Sequence, residues 1–112
     1  MSIIQLETLR SIEKEYVLAQ KGYKDAIRNY TKYHKMYSGC RLEEVAPEHR
    51  LGVNKIGEDL KTLQNKSREV KQILNWLNHL KKGADLYEQD KCNYTNKNVR
   101  RTILSIKREI GL

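Results

Sequence analysis

The sequence predicts an all-α fold: a long antiparallel helical hairpin of coiled-coil type, followed by a shorter C-terminal helix. Three observations lead there. Tyr16, Tyr23, Tyr30 and Tyr37 recur every seven residues, Leu9 begins their row, and Ile12, Ala19, Ala26 and Tyr33 stand three positions further on. Apolar residues spaced alternately three and four apart form a seam along one side of an α-helix. A second stretch of aliphatic residues keeps the same spacing, and the 112 residues hold one Pro, six Gly and no Phe, a composition that suits helices.

The first helix is predicted over residues 2–37. Ser2 and Gln5 form a capping box at its start, each satisfying a backbone N–H that has no helical partner. Ser38-Gly39 ends it, because Gly tolerates the left-handed conformation there. Residues 38–53 are read as a connector in which Pro47 can open a helical turn. Gly52 and Gly57 weaken any helix by roughly 1 kcal/mol each. The second helix is predicted over 54–82, with Val53, Ile56, Leu60, Leu63, Ser67, Val70, Leu74 and Leu77 along its seam. Ile73, Trp76 and Leu80 widen its apolar face. Lys81 and Lys82 suit the negative end of the helix dipole, and Gly83 stops the helix. Two long helices joined by a moderate connector favour an antiparallel pair. Residues 84–92 read as a short helical turn with Leu86 and Tyr87. Thr95 or Asn96 then caps a third helix, 96–110, with Val99, Ile103, Ile106 and Ile110 on one face. The whole is expected to form a single helical domain, 1–112.

Lys and Arg number 22 against 14 acidic residues, a net charge of +8. The excess is spread as +3 over 1–40, +3 over 41–83 and +2 over 84–112. Positive charge distributed this way favours nucleic acid, anionic lipid or an acidic protein surface. No run approaches the ~18 apolar residues of a membrane span. The N-terminus lacks the basic-then-apolar pattern of a secretory signal, so the expectation is a cytoplasmic or otherwise intracellular protein with Cys40 and Cys92 as free thiols.

The strongest functional signal is the C-terminal run. From Lys91 to Arg108 there are six basic residues and no acidic one. An apolar face seats such a helix on the body, while cations on the other face reach phosphates. The run resembles the second half of a helix-turn-helix, with residues 84–92 as the first helix, although Asn93 stands where the turn Gly is usual. Lys97, Arg100, Arg101, Lys107 and Arg108 are the leading candidates for nucleic-acid contact. A second basic stripe, Arg10, Lys14, Lys21, Lys24, Arg28, Lys32 and Lys35, falls within roughly 80° of arc at 100° per residue. It follows helix one for about 37 Å, and Arg28, Lys32 and Lys35 are its candidate contacts.

The tyrosines can stack bases, but Tyr16, Tyr23 and Tyr30 at strict heptad spacing read first as packing or interface residues, and they suggest a homodimer. His34, Cys40, His49, His79 and Cys92 show no metal-ligand spacing. No nucleophile elbow, phosphate loop or dinucleotide fingerprint is present. Asp85, Glu88 and Asp90 read as solvated loop charges. The expectation is therefore a non-enzymatic, cofactor-free nucleic-acid-binding accessory protein, taking DNA or RNA, with no membrane and no small-molecule substrate. The alternative is a protein-interaction module, in which Ile73, Trp76 and Leu80 anchor a protein partner.

Overall fold

The computed structural model describes the backbone of residues 1–38 and 47–112 and the side chains of residues 1–36 and 55–112. Expectations for Gly39 and Cys40, and for the side chains of Tyr37, His49 and Val53, lie outside these. Among the described residues the protein is all-α, with a helical hairpin and a shorter C-terminal helix. Helix α1 spans Ile3–Ser38, α2 Pro47–Lys81, α3 Leu86–Gln89 and α4 Lys97–Ile110, with a 3₁₀ turn at Lys91–Asn93 between the last two.

The start of α1 is the reciprocal capping box: Ser2 N donates to Gln5 Oε1 at 2.8 Å and Gln5 N donates to Ser2 Oγ at 3.1 Å. Helix α2 begins at Pro47 rather than at 54. Proline at the first helical position has φ already set and lacks an N–H that would have gone unbonded anyway. The two glycines that follow weaken a helix without forbidding one. At the other end Gly83 adopts φ 89°. Ala84 N reaches His79 O and Gly83 N reaches Leu80 O, both at 3.0 Å, closing the last turn as glycine-terminated helices do.

The two long helices pack closely, and two contacts fix their sense. Glu13 pairs with Lys81 at 3.0 Å, and a Cβ on Gly57 would lie 3.9 Å from the His34 ring. Low numbers on α1 meet high numbers on α2, so the pair is antiparallel.

The chain divides into two compact units. The first comprises Met1–Gln20 and Arg68–Leu112, the second Lys21–Ser67. The first unit holds the described core: Leu9 and Ile12 from α1, Ile73, Trp76, Leu77 and Leu80 from α2, Tyr87 from α3, and Val99, Ile103, Ile106 and Ile110 from α4. Each such aliphatic side chain contributes about 1.5–3 kcal/mol on full burial. In the second unit Tyr23, Ala26, Ile27 and Tyr30 of α1 and Ile56, Leu60 and Leu63 of α2 are all only half-buried. The tyrosine row is thus partly covered; Tyr16, in the first unit, packs on the edge of the core.

Candidate nucleic-acid interface

Helix α4 is held by its own sequence at three places. Asn96 caps it: Oδ1 accepts from Asn98 N at 2.9 Å and from Val99 N at 3.3 Å. The Nδ2 groups of Asn96 and Asn98 donate to Glu69 on α2 at 3.1 and 3.4 Å. At the far end Gly111 takes φ 88° and its N–H returns to Lys107 and Arg108 carbonyls. Between these ends Val99, Ile103, Ile106 and Ile110 are buried. A helix anchored along that face has its opposite face fixed as well.

The opposite face carries Lys97, Arg101, Leu104 and Arg108, all exposed, with half-buried Arg100 at its margin. Among the described residues none of Lys97, Arg100, Arg101 and Arg108 forms a salt bridge. Lys107 differs. Its Nζ lies 2.8 Å from Asp85 Oδ2 and 2.8 Å from Glu88 Oε1, and 5.9 Å from the centre of the Tyr87 ring. Its side chain is only 14% exposed. Burial pulls the Lys107 ammonium down, but hydrogen bonds to Asp85 and Glu88 outweigh it and leave the pKa raised. Lys107 is thus committed to the fold, unlike the other cations of the helix.

Asp85 is the centre of that arrangement and not a solvated loop charge. Besides meeting Lys107, it accepts from Trp76 Nε1 at 2.8 Å, from Tyr87 N at 3.1 Å and from Glu88 N at 3.3 Å. Burial pushes its carboxyl up, and the bonds from Lys107, Trp76 and Glu88 N–H more than reverse this, so its pKa lies below the ordinary value. The sequence held a usable signal: Gly83-Ala84-Asp85 before Leu86 is a helix stop followed at once by a capping residue. Glu69, which ties down the α4 cap, carries no comparable signal.

The other predicted site residues fall as follows. Arg28, Lys32 and Lys35 are exposed on α1. Trp76 is fully buried and Ile73 and Leu80 are each 4% exposed, so the proposed partner anchor is instead core, covered by the chain's own α3 and α4. The helix-turn-helix resemblance does not survive either. Helix α3 has four residues, one turn, too short for the first helix of that motif. Among the described residues, Cys92 is an exposed free thiol. Among the described residues no three His, Cys, Asp or Glu side chains gather to hold a metal ion, and no helix is long and apolar enough to cross a membrane. No protein-family model, curated protein or solved structure matches this chain.

Proposed function

We propose that the protein is a non-enzymatic nucleic-acid-binding accessory factor of the cell interior, and that the outer face of α4 is its phosphate-contacting surface. One observation carries this reading. Helix α4 opens with Lys97 and has no acidic residue in its first turn, with Arg100 and Arg101 directly after. The N-terminus of a helix is already its positive end, so stability alone favours Asp or Glu there. Cations at this end, free of salt bridges, cost the helix something and serve an external anion. Arg28, Lys32 and Lys35 on α1 are assigned a supporting role. Self-association through the half-covered tyrosines belongs to the same proposal and is read by sedimentation.

The test uses labelled duplex DNA, single-stranded DNA and RNA over a salt series. Binding falls steeply as salt rises, since each neutralised phosphate releases counterions. Lys97→Glu weakens binding while raising thermal stability, by about 0.3–1 kcal/mol, and Arg101→Glu weakens binding comparably. Lys55→Glu, in the other unit, is the control. If Lys55→Glu weakens binding as much as the α4 changes do, α4 is not the contact surface.

A further inference from the structure

In the first unit, α2 and the α3–3₁₀ segment line an open surface cavity of about 360 Å³ that the salt-bridged cluster leaves unused. Its size is at the low end of the range of roughly 300–1,000 Å³ for small-ligand sites. Four primary amides line it, Gln72 and Asn75 from α2 and Gln89 and Asn93 from the opposite wall, with Leu86 and Tyr94 supplying apolar surface. Each amide both donates and accepts, which matches the mixed edge of a heterocyclic base. Tyr94 is steadied by an edge-on contact with Tyr87, ring centres 5.5 Å apart. Aromatic and aliphatic surfaces take the flat faces of bases without sequence preference. Asp90 also lines the cavity and accepts from Asn93 Nδ2. A carboxylate there repels phosphate, so what enters is the uncharged part of a nucleotide.

The cations stand outside. Arg68 is exposed and lies four residues before Gln72, one turn along the same face of α2. Glu69, three residues before Gln72, ties the start of α4, where Lys97 stands between Asn96 and Asn98, to this stretch of α2. We propose that this cavity takes an unstacked base of a single-stranded nucleic acid, with the flanking phosphates held by Arg68 and Lys97. The inference rests on the nucleic-acid reading of α4 and narrows it to a preference for single strands.

The experiment compares the intact, ¹⁵N-labelled chain with a single strand of about ten nucleotides and with the corresponding duplex. The single strand binds on the order of tenfold more tightly, the worth of one stacked base. The side-chain amide signals of Gln72 and Asn75 shift with the single strand and with a free nucleoside, and not with ribose phosphate. Asn75→Trp, which fills the cavity from an exposed position, removes the single-strand preference and leaves duplex affinity unchanged. Gln72→Ala with Gln89→Ala serves if that variant folds poorly. Equal binding of both nucleic acids, or a preference that survives Asn75→Trp, overturns the cavity assignment alone. Failure of both to bind overturns the parent reading, a separate outcome.

Discussion

Asp85 gathers a ring N–H, two backbone N–H groups and an ammonium onto one carboxylate. Asp85→Ala leaves the buried Trp76 N–H without an acceptor and strips Lys107 of one partner. The expected cost is about 2–3 kcal/mol by urea unfolding, set mainly by the orphaned donor. Asp85→Asn keeps an acceptor for Trp76 and removes the charge alone, so it costs less. The pH dependence follows from the directions of the shifts. The folded pKa of Asp85 is depressed, so its contribution is complete above the unfolded value of about 3.9 and fades as pH falls through the folded one. The gap between wild type and Asp85→Asn therefore closes on acidification below about pH 4. For Lys107 the folded pKa is raised, so its contribution is complete at neutral pH and fades only as strong alkali carries pH through that value. A gap that stays constant from pH 7 to pH 2 contradicts this assignment.

At the level of the helices, Gly22 and Gly57 sit inside long regular segments. A Cβ at Gly22 meets nothing within 4 Å, and one at Gly57 meets only the His34 ring at 3.9 Å, ordinary van der Waals contact. Neither has a positive φ. Gly22→Ala and Gly57→Ala should each raise stability by roughly 0.5–1 kcal/mol, through lower backbone entropy in the unfolded chain. A loss at Gly57 would show that the two helices approach more closely there than the structure has them. The helices themselves were legible in the sequence because Leu9, Ile12, Val70, Leu77 and the Val99–Ile110 face obey a 3.6-residue period that admits little else. The seven residues from Pro47 to Val53 read as connector in the sequence because Pro47, Gly52 and nearby Gly57 outweigh a weak helical pattern. The role of Lys107 was illegible: it has the same type and spacing as its neighbours, and only α3 folding back beside it separates a structural cation from the outward ones.

For the molecule as a whole, charge and burial are distributed differently. Residues 21–67 hold ten basic and six acidic residues, and the remainder holds twelve and eight, so each unit carries +4. Positive charge therefore does not distinguish them; burial does. Every fully buried hydrophobic residue among those described belongs to the first unit. Segments with few buried contacts open at lower free energy, so amide exchange should be faster across 21–36 and 55–67 than across 97–110, and equal rates would contradict the burial pattern.

Trp76 is the chain's only tryptophan, it is fully buried, and it lies in that first unit. Its emission is therefore an optical gauge of one half of the protein, blind to the other. Far-ultraviolet dichroism, by contrast, sums over all the helices. On heating, the ellipticity should begin to fall before the indole emission moves, and a single superimposable transition from both signals would mean that the half-covered tyrosine segment melts only together with the isoleucine-rich core.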